Sequence, residues 1–134
     1  MTNKTKQDID FEIQFYEGVL SNSPNFEQAL IVLGDLYTKR ELYEKGLEID
    51  LRLSTLRPDD AVVFYNLACS WCLLNDLSQS LAALRRAIEL GYDDFTHLEA
   101  DSHLLTLFKD EDFREYIQKL KTKKKQTNCA GKPL

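Results

Sequence analysis

Apolar residues recur at three- and four-residue spacing along most of the chain, which is typical of amphipathic helices. The first such stretch predicts a helix over residues 8–21 that stops ahead of Pro24, because proline disfavours helical geometry in the residue before it. Further stretches predict helices over residues 25–39, 42–56, 61–74, 77–90 and 111–120. The pattern therefore indicates an all-α fold.

Residues at the ends of these stretches carry helix start and stop signals. Asn25 followed by Gln28 resembles a capping pair, and Asp60 suits the N-cap of the helix that begins at residue 61. Gly91 supplies the left-handed geometry that is common after a helix end. We therefore expect helices to begin near residues 25 and 61 and a chain reversal near residue 91.

The helices between residues 27 and 94 form two units that repeat at an interval of 34 residues. Size classes are kept between the units. The matching pairs are Leu30 and Phe64, Leu33 and Leu67, Gly34 and Ala68, Tyr37 and Trp71, Gly46 and Ser80, Leu53 and Ala87, and Pro58 and Tyr92. A fixed repeat of this length predicts a stacked array in which each unit covers the apolar face of its neighbour. The small residues of each unit would let its two helices approach closely.

The flanking segments predict partial units at both ends of the array. Residues 1–7 are expected to be a flexible arm, 8–24 a half-repeat cap, and 121–134 a basic disordered tail. Between the tail and the two repeats (27–60 and 61–94) lies a degenerate repeat with a cap helix, 95–120. Asp101 stands there in the place of a core leucine, so we expect it to form a buried polar bond that shapes the cap.

The paired-helix unit resembles the tetratricopeptide repeat, which has the same 34-residue period. Leu30, Leu33, Gly34 and Tyr37 stand where that family has Trp, Leu, Gly and Tyr, whereas Asp50 departs from its usual aromatic residue. The resemblance covers residues 8–120 and implies a right-handed superhelix whose first helices line a concave surface. The groove positions that it implies here are Gln28, Ile31, Val32, Asp35, Thr38, Val62, Tyr65, Asn66, Cys69, Leu73, Glu99 and His103.

The same resemblance implies a non-enzymatic scaffold that binds a protein or peptide segment. Ile31, Val32 and Tyr65 would be apolar anchors, Asn66 a contact to the backbone of the ligand, and Asp35 with Glu99 selectors for positive charge. Family members that clamp acidic peptides use Lys, Asn and Arg, of which only Asn66 is kept. An apolar or basic segment is therefore the favoured partner. A narrower alternative, from similar size and acidity, is a chaperone for secreted bacterial effectors.

Charge is distributed unevenly along the 134 residues. Before residue 121 there are 12 Lys and Arg against 22 Asp and Glu, a net charge of −10, and the rest of the chain carries +5. So acidic a body repels nucleic acid, which excludes that class of partner. A start without a secretion signal and the lack of a long apolar run predict a cytoplasmic protein that does not insert into membranes. The oligomeric state is not predicted.

Two clusters could carry metal or redox chemistry. Cys69 and Cys72 form a C-x-x-C inside a predicted helix, and the third cysteine, Cys129, lies far along the chain, so a four-cysteine zinc site is excluded. His97, Glu99, Asp101 and His103 fall within seven residues, but a continuous helix would point the two histidines in nearly opposite directions. A metal or thiol-redox protein built on Cys69, Cys72 and His103 is therefore an alternative, and the leading expectation is no metal and no cofactor.

Catalytic motifs are missing from the sequence. There is no glycine-rich phosphate loop and no G-x-S-x-G, and neither histidine has a nucleophile placed by the sequence. We therefore predict that the protein is not an enzyme.

Overall fold

The computed structural model describes residues 4–130, with side chains through residue 126, and every regular element in this range is helical. The α-helices are α1 (Lys6–Asn22), α2 (Glu27–Lys39), α3 (Tyr43–Leu56), α4 (Ala61–Leu73), α5 (Leu77–Glu89), α6 (Phe95–Ala100) and α7 (Glu111–Ala130). Two short 3₁₀ segments, Ser102–Leu104 and Leu107–Lys109, lie between α6 and α7. The predicted all-α fold is confirmed.

The two repeats reverse direction by the same hydrogen-bonded turn. The N–H of Leu42 donates to the carbonyl of Tyr37 at 2.8 Å, and 34 residues later the N–H of Asp76 donates to Trp71 at 3.0 Å. The residue before each donor lies in the left-handed region, with φ of 59° at Glu41 and 63° at Asn75. This geometry satisfies carbonyl groups that a helix end leaves without a partner. The repeat is therefore present in the backbone as well as in the side chains.

Small residues let the helices of each unit lie close together, as the sequence predicts. In the second unit the buried Ser80 hydroxyl donates to the carbonyl of Ala68 at 2.7 Å. In the first unit the equivalent residues are both glycine, and a Cβ added to Gly46 would lie 3.9 Å from the Gly34 carbonyl oxygen. A Cβ at Gly34 would lie 3.2 Å from Cγ2 of Ile49, so this crossing has little spare room.

The core consists of two hydrophobic clusters, one in each half of the array. The first is built on α1, α2 and α3 and includes Leu30, Leu33 and Leu53. The second joins α4 and α5 to the closing segment, where Leu98 and Ile117 are almost fully buried. Because α3 contacts α4, the two clusters form a continuous array rather than two separate domains.

The amino-terminal elements begin at other residues than the sequence predicts. Four residues of the expected flexible arm, 4–7, are ordered by a capping box in which the Thr5 hydroxyl accepts from the N–H of Asp8 and the Asp8 carboxylate accepts from the N–H of Thr5. Residues 1–3 lie outside the described range. The predicted Asn25 cap is wrong, because α2 begins after Phe26 and has no side-chain cap.

The prediction of a disordered carboxyl-terminal tail is also wrong within the described range. Residues 121–130 continue α7 instead of forming a disordered tail, and residues 131–134 lie outside the description, as does the side chain of Cys129. Lys121 pairs with Glu99 at 2.9 Å, and the Lys124 ammonium donates to the carbonyl of Asp93 at 2.8 Å. The basic segment extends the helix because it lies against acidic groups of the body, which offset its positive charge.

Within residues 4–130, no helix combines the length and apolar character needed to cross a bilayer.

The close approach of α4 and α5 can be tested by enlarging Ala68, which is fully buried. We expect Ala68→Leu to overpack the crossing and lower the free energy of unfolding by about 1 to 3 kcal/mol. Ala82→Leu, the same change at an exposed position of α5, is the matched control and should change it by less than about 0.5 kcal/mol. Urea unfolding followed by circular dichroism measures both, and equal effects would contradict the proposed packing.

Candidate partner-binding groove

A concavity lies between α2, α4 and the segment around Asp101. It has a volume of about 590 Å³, and we call it the groove. Its lining includes most of the positions implied by the resemblance, namely Ile31, Val32, Asp35, Thr38, Val62, Tyr65, Asn66, Cys69, Leu73 and His103. The first helices of the repeats therefore do line one cavity.

Exposed apolar side chains flank this groove on both first helices. Ile31 of α2 is 49% exposed and Val62 of α4 is 58% exposed. Asp35 and Asn66, one turn further along their helices, are polar and line the same groove. Apolar groups beside polar groups form a surface that can bury a ligand side chain and also orient it.

Tyr65 is not the exposed anchor that the sequence suggests. Its side chain is 4% exposed, stacks on Tyr92 with ring centroids 4.4 Å apart, and donates its hydroxyl to Oδ2 of Asp101 at 2.7 Å. Tyr65 is among the residues that line the groove, but Tyr92 and the closing segment cover its ring. Tyr65 therefore forms part of the floor of the groove.

Gln28 and Glu99 lie outside the residues that line the groove, so their predicted role is not supported by position. Gln28 is exposed near the start of α2. The carboxylate of Glu99 instead pairs with Lys121 of α7. A sequence interpretation that took residues 121–134 as disordered could not predict this ion pair.

Asp101 forms a partly buried polar bond with Tyr65, where the sequence predicts a fully buried one, and it also ends α6. Its backbone is extended (φ −76°, ψ 114°), and its carboxylate accepts from the backbone N–H of His103 at 2.9 Å, which starts the 3₁₀ segment. This break overturns the expectation that His97 and His103 point apart. Ring nitrogens of both histidines lie near the Asp101 carboxylate, at 3.7 and 3.8 Å.

Both cysteines of the C-x-x-C are buried and free. Burial raises the pKa of Cys69, and the negative charge of Asp101 raises it further, so the thiol is protonated at neutral pH. Redox cysteines need an accessible thiolate, and this environment disfavours one.

Comparison with known proteins places this geometry in a structural class. The chain is similar to the solved structure of MamA RS-1 ArsTM double mutant, with a TM-score of 0.64 and 18% sequence identity over 87% of this chain and 68% of that chain. MamA contains tetratricopeptide repeats. The fold is therefore a tetratricopeptide-like helical array.

Comparison by sequence finds a relative that matches only part of the chain. The chain is 38% identical over 80 residues to a chloroplastic protein from Arabidopsis thaliana. These residues are 58% of this chain, which spans only about a quarter (24%) of the length of that relative. No model of a protein family matches the chain. The expected tetratricopeptide-like architecture is thus confirmed as a fold, and the groove assignment stays a prediction.

Asp50 and Ser70 form a polar contact in this array that the sequence interpretation missed. Asp50 of α3 occupies the position where tetratricopeptide repeats have an aromatic residue, and the Ser70 hydroxyl of α4 donates to its carboxylate. Burial raises the pKa of Asp50 to about 6, although the hydrogen bond from Ser70 opposes this. One feature of the sequence indicated a polar residue in the groove wall, namely that Asp50 replaces the aromatic residue of the tetratricopeptide pattern.

The groove carries more acidic than basic groups. Asp35, Asp50, Asp60 and Asp101 line it, and the lining cation Arg57 is paired with Glu27 at 2.6 Å and with Asp60 at 3.5 Å. Asp35 pairs with Lys39, but both side chains are more than half exposed, so this contact is weak. The uncompensated charge of the groove is therefore negative, which favours a positively charged ligand.

The raised pKa of Asp50 predicts a stability difference that depends on pH. Because the folded state holds this proton more tightly than the unfolded state, Asp50 disfavours folding increasingly as pH rises from about 4 to about 6. Asp50→Asn removes this penalty while keeping an acceptor for Ser70, so its stability gain over the parent protein should be larger at pH 7.5 than at pH 4, by at most about 3 kcal/mol.

Urea unfolding at the two pH values measures this gain. Asp59→Asn makes the same chemical change at an exposed position and should show no such pH-dependent gain. A gain for Asp50→Asn that is equal at both pH values would contradict the raised pKa.

Proposed function

We propose that this protein is a non-enzymatic interaction scaffold that binds a polypeptide segment of mixed apolar and basic character in the groove. The observation that carries the proposal is the cavity between α2 and α4, in which exposed Ile31 and Val62 adjoin acidic side chains. A tetratricopeptide-like fold supports a protein partner, since stacked helix pairs create extended concave surfaces that bind other proteins.

Specificity for positive charge follows from the acidic lining. A Lys or Arg of the ligand can pair with Asp35 at the edge of the groove, while an adjacent apolar side chain contacts Ile31 and Val62. Asn66 is exposed beside them and can exchange hydrogen bonds with the ligand backbone. An acidic ligand would be repelled by the same groups, which opposes the clamp mode used by some family members.

The narrower hypothesis of a chaperone for secreted bacterial effectors stays a prediction. Its substrate would occupy the same groove, so the experiment below tests the surface that both hypotheses need. A cytoplasmic location also stays a prediction.

Peptide selection tests the proposed specificity. A displayed library of random peptides selected on the full chain should yield sequences that combine Leu, Ile or Phe with Lys or Arg. We expect Val62→Lys to weaken the selected peptides by about tenfold, equivalent to about 1.4 kcal/mol, because it places positive charge in the groove and removes an apolar contact. Fluorescence anisotropy with a labelled peptide measures the change.

Leu51→Lys is the matched control. Leu51 is 41% exposed on α3 and does not line the groove, so this variant should bind the same peptides with unchanged affinity. Asp35→Lys should weaken basic peptides more than their charge-neutral analogues. Selected peptides that are acidic, or equal losses for Val62→Lys and Leu51→Lys, would overturn the proposal.

A further inference from the structure

Three side chains in the wall of the groove carry atoms that can bind a metal ion. They come from different parts of the chain. Cys69 belongs to α4, Asp101 ends α6, and His103 lies in the following 3₁₀ segment. One ligand atom from each lies within 4.8 Å of the other two. Cysteine sulfur, imidazole nitrogen and carboxylate oxygen are all ligands that Zn²⁺ accepts in proteins.

We propose that Cys69, Asp101 and His103 form a Zn²⁺ site, with its fourth coordination position open to the groove. This goes beyond the proposed scaffold function, because polypeptide binding needs no metal.

The three ligand atoms, one from each residue, all lie within 4.8 Å of one another, and the two oxygens of the Asp101 carboxylate lie nearer to one partner each. Sγ of Cys69 lies 3.7 Å from Oδ2 of Asp101, and Nδ1 of His103 lies 3.8 Å from Oδ1 of the same carboxylate. Zinc bonds of about 2.0 to 2.3 Å place tetrahedral ligand atoms about 3.3 to 3.8 Å apart. The ligand atoms therefore need to close by up to about 1 Å to contact one ion, and the His103 side chain, which is 44% exposed, has space on its solvent side for such a shift.

Asp101, the central proposed ligand, is held in place by two hydrogen bonds from groups that are not themselves metal ligands. The Tyr65 hydroxyl donates to Oδ2 of Asp101 at 2.7 Å, and the backbone N–H of His103 donates to Oδ1 at 2.9 Å. Hydrogen bonds of this kind orient metal-binding carboxylates and tune the affinity of the site. Tyr65 is thus a positioning residue for Asp101.

Zn²⁺ binding releases one proton and leaves the site without net charge. The Cys69 thiol, which is protonated in the metal-free protein, loses its proton to solvent, and the charge of Zn²⁺ stabilises the resulting thiolate, which its surroundings otherwise disfavour. Neutral His103 ligates through a ring-nitrogen lone pair. Thiolate and carboxylate together match the charge of Zn²⁺, so the buried end of the site becomes neutral on binding. The fourth position faces the groove, where water or a group of the bound segment completes the coordination.

His97 and Cys72 provide matched controls in the same neighbourhood. The imidazole of His97 also lies 3.7 Å from Asp101 but does not belong to the set of atoms that lie within 4.8 Å of one another. Cys72 is a buried thiol of the same helix outside that set. Each control removes the same chemical group as a ligand variant without removing a proposed ligand.

Metal titration of the untagged, reduced, chelator-treated full chain tests the site without any peptide. We expect one Zn²⁺ per chain by isothermal titration calorimetry, and a thiolate-to-metal charge-transfer absorption when Co²⁺ replaces Zn²⁺. Cys69→Ser and His103→Gln should each weaken Zn²⁺ binding by at least about tenfold, and Tyr65→Phe by about tenfold, because it removes only the hydroxyl that holds Asp101.

Cys72→Ser and His97→Gln should keep both the stoichiometry and the cobalt absorption. Circular dichroism of each variant establishes that it is folded, and His103→Gln keeps the test decisive if Cys69→Ser unfolds, because His103 is exposed. Absence of saturable Zn²⁺ binding overturns the site. So does cobalt–thiolate absorption that survives in folded Cys69→Ser, or a loss in His97→Gln that equals the loss in His103→Gln. Peptide binding by the metal-free protein is measured separately, so failure of either proposal leaves the other testable.

Discussion

The hydrogen bond from Tyr65 to Asp101 connects the regular repeats to the segment that closes them. Tyr65 belongs to the first helix of the second repeat, and Asp101 ends the short α6. The Asp101 carboxylate is only 14% exposed, and a carboxylate so placed is destabilising unless it is hydrogen-bonded, so the bond holds the end of α6 against the second repeat. The break in turn aims His103 back toward α4 and buries Tyr65 beneath the groove. Both the shape of the groove and the proposed zinc site depend on this one contact.

The central repeats were predictable because their periodicity overdetermines them. Apolar spacing gives the helices, the 34-residue interval gives their pairing, and Gly34 and Ala68 identify where helices cross closely. The structure adds that even the turns at Glu41 and Asn75 share one left-handed geometry. Local sequence and tertiary packing agree throughout these units, which is why the prediction of the fold was confirmed.

The features that the sequence did not predict depend on contacts between residues distant in sequence. Residues 121–125 lack apolar periodicity, and their helical conformation follows from pairing with acidic groups such as Glu99 and Asp93. Tyr65 has the position of a groove anchor in the repeat pattern, but a partner 36 residues away buries it. Apart from Gln28, the predicted groove positions on α2 and α4 line the cavity, whereas Glu99, on the degenerate unit, does not. Sequence pattern thus locates the face of a helix, and only packing shows which of its residues stay accessible.

Backbone amide NMR spectra recorded during titration with a selected basic–apolar peptide test the central claim directly. If the groove is the binding surface, chemical-shift changes will cluster on α2 and α4 around Ile31, Asp35, Val62 and Asn66, and the exposed faces of α3 and α5 will stay unchanged. Changes confined to α3, α5 or the basic part of α7, with the groove residues unaffected, would contradict the account.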